Sequence, residues 1–305
     1  MIGHDLEHYL KNGHFSQIVQ ILLTNYDPSK AEAPRYEAAL DISRFWLKYE
    51  PDIANVEDPL PLWDNFLSSI FQKHQKIAPT LLFAASSYIM RKIHTQLTRH
   101  AITPHDKSPF SSKLGLARCL IWMEQPEQAS SFLKELIRHY PRQSAPWALM
   151  GKIYFERQDY KKSLLCYREA FFINPSVLNL MDINSKIVDQ VCDFYTQHFG
   201  SNEYIPDYKA HLQWIGISGL AGNFFQVRRE LDAKELQELD QRIEVYENKY
   251  NLYHKRLDFL NLIRLYAFKI DYYLANNAKN KVSSTMRKLE VIEPAVYKKF
   301  KITRG

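Results

Sequence analysis

Apolar positions recur at three- and four-residue spacing along most of the chain, the period of helices with one buried face. Between Asp5 and Asn25, Leu6, Tyr9 and Leu10 precede a turn at Asn12-Gly13-His14-Phe15, and Ile18, Ile21, Leu22 and Leu23 follow it. That order predicts a helical hairpin. Arg35 to Tyr49 repeats the pattern with Ala38, Ala39, Ile42, Phe45, Trp46 and Tyr49, and Pro51 is expected to stop that helix. Helices over 62–74 and 79–100 come next. Leu81, Leu82, Ala84, Ala85, Tyr88 and Ile89 give the second a face so wide that it must be covered on more than one side. The proline-bearing stretches 52–61 and 102–109 read as loops. A further helix is predicted over 177–199, ending near Gly200-Ser201-Asn202.

From Asn223 to Glu293 the chain has neither glycine nor proline. There Leu236, Leu239, Ile243, Tyr246, Tyr250, Tyr253, Leu257 and Leu260 alternate three and four apart, which predicts one long helix with a seam of roughly 36 Å. Three tyrosines in the middle of that seam each need a hydroxyl partner or an outlet to water. They favour packing on the chain's own helices over the rival, a homodimer through the 236–260 seam.

The stretch from Phe110 to Pro175 holds two copies of one pattern 34 residues apart. The second reads Trp147, Met150, Gly151 and Tyr154, then Ser163, Tyr167 and Ala170, then Pro175. The first places Leu116, Ala117 and Leu120, then Ala129, Leu133 and Leu136, then Pro141 at the same offsets, with Lys113 where the tryptophan would stand. Small residues at Ala117, Ala129, Gly151 and Ser163 let two antiparallel helices cross closely. The prolines end each second helix. A helix pair of this kind cannot bury its apolar face alone, so neighbours must stack on it.

This pattern closely resembles the tetratricopeptide repeat, whose period and order of tryptophan, glycine, tyrosine, alanine and proline it follows. The resemblance implies an all-α fold, a TPR-like α-solenoid of stacked antiparallel helix pairs, with roughly fourteen to sixteen helices. Degenerate repeats are expected near 5–25 and near 263–296. The chain is thus organised as N-terminal helices over 1–58, a helical hairpin over 59–109, two repeats over 110–177, helices over 178–230, and the seam helix, degenerate repeat and basic terminus over 231–305. In the family, first helices of each repeat line a concave groove. By that resemblance Leu114, Arg118, Ile121 and Trp122 from the first copy, and Lys152, Phe155 and Glu156 from the second, form the partner-binding surface. Trp122 and Phe155 would anchor apolar side chains and Arg118 and Lys152 acidic ones. The rival is a groove filled by the chain's own helices. Leu114, Arg118 and Leu149 stand where the carboxylate clamp of chaperone-binding members needs Lys and Asn, which disfavours that ligand.

Composition refines this picture little. With 305 residues, 46% hydrophobic and 13% aromatic, this is an ordinary folded chain. The formal charge of +6 is concentrated at the end: Lys279, Lys281, Arg287, Lys288, Lys298, Lys299, Lys301 and Arg304 face only Glu290 and Glu293. That patch reads as a solvated, frayed helix end, or as a contact for an acidic protein surface, nucleic acid or anionic membrane. Three cysteines, Cys119, Cys166 and Cys192, lie far apart within predicted helices, as buried thiols in a reducing compartment would. With no secretory leader pattern and no apolar run near the roughly 18 residues of a membrane span, a cytoplasmic location is expected.

Chemistry is sparse. The phosphate-cradling loop, the nucleophile elbow and the paired-histidine zinc motif are all missing. His4 and His8, four apart, and His94, His100 and His105 read as solvated side chains rather than ligands. Gly216, Gly219 and Gly222 lack dinucleotide-fingerprint spacing and are expected to admit a neighbouring backbone. The expectation is a non-catalytic adaptor or scaffold subunit that needs no cofactor or metal and binds a protein partner.

Overall fold

The computed structural model describes residues 2–25, 27, 29–56, 58–99, 109–178, 180–183, 186–199, 208–227 and 229–304. His100, His105 and Gly200 to Asn202 lie outside these residues, as do the side chains of His4 and Arg304. Helices account for most of the described residues, with no strand among them. Contacts divide it into two units, Met1–Leu136 and Ile137–Gly305.

The first unit contains α1 (Ile2–Lys11), α2 (Phe15–Asn25), α3 (Ala33–Ile53), α4 (Leu60–Phe66), a π turn (Leu67–Phe71), α5 (Gln72–His74), α6 (Pro79–Thr98), α7 (Phe110–Trp122) and α8 (Pro126–His139), within which the division falls. The broad face of α6 is covered by α1, α3 and α7, with Leu81, Leu82, Ala85, Ile89 and Ile93 fully buried. Pro51 does not stop α3 as expected. It sits in the last turn, where few amide bonds remain to be lost, and α3 runs on to Ile53. Asn55 then closes the end by donating through Nδ2 to Pro51 O at 3.1 Å. Aromatic rings bind α3, α4 and the π turn together: Trp46 stacks on Trp63, and Phe66 touches both.

The second unit contains α9 (Ser144–Glu156), α10 (Tyr160–Ile173), a 3-10 turn (Pro175–Val177), α11 (Leu180–Ile183), α12 (Lys186–His198), α13 (Tyr208–Ala221), α14 (Ala233–Tyr253), α15 (Arg256–Ala275), α16 (Lys279–Ile292) and α17 (Pro294–Arg304). Helix α15 is its centre, packed on α13, α14 and α16, with Leu260 to Phe268 buried throughout. The helix expected over 177–199 is described as two, α11 and α12. The long seam helix is also two. His254 takes the left-handed conformation at φ 50° and reverses the chain between α14 and α15, so Leu257 and Leu260 lie on the second helix. Leu239 and Ile243 of the seam are buried within this unit, and Tyr253 is exposed.

One turn recurs. At Gly13, Glu124, Gln158 and Asn277 a residue with φ between 53° and 73° ends the first helix of a hairpin. The next amide reaches back five residues: His14 N to Tyr9 O at 2.9 Å, Gln125 N to Leu120 O at 2.8 Å, Asp159 N to Tyr154 O at 2.9 Å and Ala278 N to Tyr273 O at 3.0 Å. This is the Schellman closure, which satisfies carbonyls left open at a helix end. The hairpins α1–α2, α7–α8, α9–α10 and α15–α16 share it, two of them where degenerate copies are expected, and the same closure also follows α13 at Asn223, where Phe224 N reaches Gly219 O at 2.8 Å.

Buried charge locks α10 into the second unit. Arg264, 1% exposed, donates to Phe171 O at 2.8 Å and Phe172 O at 2.7 Å, the open carbonyls at the end of α10, and to Gln213 Oε1 at 2.6 Å. Arg242 adds a bond to Ile173 O at 2.8 Å. Cations at a helix C-terminus also oppose its dipole. Arg168 pairs with Asp271 at 2.6 Å, while Arg229 bridges Glu169 at 2.8 Å and Glu235 at 2.5 Å.

Around the glycines of α13 the nearest groups are side chains. A Cβ on Gly219 would lie 2.1 Å from the ring of Phe225, so the missing side chain makes room for an aromatic that folds back after the helix. The basic terminus is not frayed either. Val296 and Phe300 of α17 are buried, and Thr303 Oγ1 donates to Ala221 O at 2.7 Å.

Candidate functional site

At the tip of the α9–α10 hairpin, Phe155 from the last turn of α9 meets Tyr160 from the first turn of α10, ring centroids 5.5 Å apart. Asp159 fixes that tip as the N-cap of α10, accepting from Lys162 N at 3.2 Å and from Lys162 Nζ at 2.7 Å. These hydrogen bonds hold its carboxyl below the usual range. The tip forms one wall of an open cavity of about 580 Å³ within the second unit. Ile187 and Gln190 of α12 and Phe224 after α13 form other parts of it, with Lys186 and Asn223 among the polar groups. Phe224 is held in turn by Phe194, 5.4 Å away.

Chemically the cavity combines apolar and polar lining. Phe155, Leu164, Ile187 and Phe224 offer the apolar surface, and Tyr160, Gln190 and Asn223 offer hydroxyl and amide groups to a polypeptide backbone. Burial pushes the thiols of Cys119 and Cys166 up to about 12 and that of Cys192 up to about 11, so at neutral pH they are neutral thiols rather than nucleophiles. Among the described residues no three His, Cys, Asp or Glu side chains converge as a metal site would require.

The expected groove residues are distributed unevenly. Those on α7 belong to the first unit and those on α9 to the second. Leu114 is buried, and Ile121 and Trp122 are half-buried. Trp122 packs against Trp63 at 5.6 Å and Phe83 at 5.4 Å, so its ring is already occupied by its own unit. Arg118 and Lys152 are half-buried and already engaged by other groups. Phe155 lines the cavity, and Glu156 is exposed beside it. Ala117, Ala129, Tyr167 and Ala170 are fully buried, and Ser163 Oγ donates to Gly151 O at 2.8 Å across the helix crossing. Trp147 Nε1 donates to Pro141 O at 3.0 Å, Pro175 opens the 3-10 turn, and the Tyr154 ring lies 5.4 Å from Lys162 Nζ. Of the basic patch, Lys298 and Lys301 are exposed and Lys299 Nζ lies 5.1 Å over the Phe194 ring. Ile187, Gln190 and Phe224 carry no signature in the sequence, since only tertiary packing brings them to the hairpin tip.

Antiparallel helix pairs closed by one repeated turn make this an all-α helical-repeat protein. Residues 111–153 match the family model described as tetratricopeptide repeat, and the chain carries that repeat there. A similar protein is the formate-dependent nitrite reductase complex subunit NrfG of Escherichia coli O157:H7, 43% identical over 47 residues. That match covers 15% of this chain and 24% of NrfG, so the chain spans about a quarter of the length of the curated relative it matches. No solved structure matches the chain.

Proposed function

We propose that the chain is a non-catalytic adaptor or scaffold subunit of a larger assembly. It receives an apolar side chain of a protein partner in the cavity at the α9–α10 tip. The observation that carries this reading is Phe155, a first-helix residue of the repeat, half-buried on the wall of an open 580 Å³ cavity. An aromatic wall with amide and hydroxyl groups around it is the composition of an interface anchor site. The tetratricopeptide repeat and the complex-subunit relative support protein binding in general, and the cavity supports this location. A reducing, cytoplasmic setting is part of the proposal and rests on three free cysteines, two of them buried.

Replacing Phe155 and Ile187 together by serine tests it. The expected result is loss of the partners captured by the wild-type chain, with the melting profile retained. Capture of the same partners by a folded double variant overturns the location.

A further inference from the structure

The first unit holds a cavity of about 310 Å³ outside the repeat-matched residues, between the end of α3 and the second half of α6. Its walls carry three cations, Arg91, Lys92 and Arg99, and one carboxylate, Glu50. The guanidiniums are lightly used. Arg91 spends one Nη2 bond on Lys11 O at 2.8 Å, and Arg99 Nη1 only approaches Ala54 O at 3.5 Å. Lys92 is held by Glu50, which also accepts from Tyr88 Oη at 2.7 Å. Three cations against one carboxylate leave two positive charges unmatched on the lining.

A second observation concerns hydrogen bonding. Gln96 lines the same cavity and is 8% exposed. Its Nε2 donates to Val56 O at 2.9 Å, which fixes the amide orientation, and its Oε1 has no hydrogen-bond partner. That oxygen is closed off from solvent, so the amide stiffens the cavity floor rather than offering an acceptor to a ligand. The charge of the lining therefore asks for a compact dianion.

We propose that this cavity binds a phosphomonoester. Such a group carries about −1.5 to −2 charges at pH 7, which matches the unmatched pair, whereas a single carboxylate would leave one cation over. Arg91 and Arg99 supply the planar forks that suit phosphate oxygens. Lys92 turns from Glu50 to the ligand. A cavity of this size is at the small end of ligand pockets, which suits one phosphorylated residue.

The test is calorimetric titration of the full chain with a heptapeptide bearing one phosphoserine, the same peptide unphosphorylated, its aspartate counterpart and free O-phosphoserine. The phosphopeptide is expected to bind saturably, and more weakly as salt is raised. Tighter binding of the peptide than of O-phosphoserine assigns a phosphorylated chain as the source. Equal binding assigns a small metabolite. Arg91→Gln and Arg99→Gln should each weaken binding about tenfold. Glu50→Gln, which removes the competing carboxylate, should strengthen it, and Arg287→Gln in the second unit should leave it unchanged. Binding of the unphosphorylated or aspartate peptide as tight as that of the phosphopeptide overturns the proposal. So does the absence of saturable binding, or unchanged affinity in a folded Arg91→Gln variant. Should Arg99→Gln fail to fold, Arg91→Gln and Glu50→Gln decide the question.

Discussion

Replacing Gly151 probes the helix crossing on which the second repeat depends. A Cβ at this position would lie 2.9 Å from both Cδ1 and Cε1 of Tyr167, well inside ordinary contact. Tyr167 cannot swing clear, because it is fully buried. Nor can the helices separate freely, since the Ser163 to Gly151 hydrogen bond at 2.8 Å ties them together. Two terms compete. Removing glycine from a helix interior gains about 1 kcal/mol, and overpacking a tight core costs about 1–3 kcal/mol. Gly151→Ala is therefore expected to be nearly neutral to destabilising by about 2 kcal/mol. Gly151→Leu places further carbons against the same ring and should lose about 1–3 kcal/mol net. For a unit of this size each kcal/mol moves Tm by about 2–4 °C, so the leucine variant should melt several degrees lower by circular dichroism. Combining Gly151→Ala with Tyr167→Leu should cost less than the sum of the single changes, a coupling of about 0.5–3 kcal/mol. An unchanged melt for Gly151→Leu, or strict additivity in the cycle, would refute the crossing geometry.

Gln158→Gly should stabilise the second unit by about 0.5–1 kcal/mol in urea unfolding, because Gln158 holds φ 62° and only glycine adopts that region without steric cost. Arg264→Met should destabilise by about 1–3 kcal/mol, since burial lowers this guanidinium only to about 9, still charged at neutral pH, and its loss orphans the acceptors at the end of α10; a drop below about 0.5 kcal/mol in the same assay would show that Arg242 suffices. The pH dependence of Tm should show two opposed arms. Burial raises the Glu169 carboxyl above the usual range, so acidification through that range favours the folded state. Hydrogen bonding to Arg229 lowers the Glu235 carboxyl, so stability is lost only as pH falls through its lower folded value. Glu169→Gln should flatten the upper arm and Glu235→Gln the lower one.

The helical-repeat architecture was legible because its chemistry is local. Gly151, Tyr154, Ser163, Tyr167 and Pro175 each act within one hairpin, so their spacing alone encodes the crossing. Gly13 likewise betrayed the α1–α2 turn. The same turn at Glu124 and Gln158 uses residues that ordinarily avoid positive φ, while Asn277 and the reversal at His254 use residues that tolerate it but do not mark a break as glycine does, so the seam helix reads through its break. Pro51 misled in the opposite direction, because a helix tolerates proline near its end. The basic terminus looked frayed because its lysines dominate the composition, while two apolar residues four apart, Val296 and Phe300, suffice to dock it. Of the site, only Phe155 was visible. Ile187, Gln190 and Phe224 reach the hairpin tip through the packing of α12 and α13, which no periodicity reports.

The most direct test of the account is site-specific photo-crosslinking from the cavity wall. With p-benzoylphenylalanine in place of Gln190 in the full chain, illumination in cell extract is expected to give a discrete adduct with a protein partner. That adduct should disappear when Phe155→Ser and Ile187→Ser are added to a chain that still melts normally. An adduct that survives those substitutions, or no adduct while the partner remains bound to the chain, would contradict protein binding at the α9–α10 cavity.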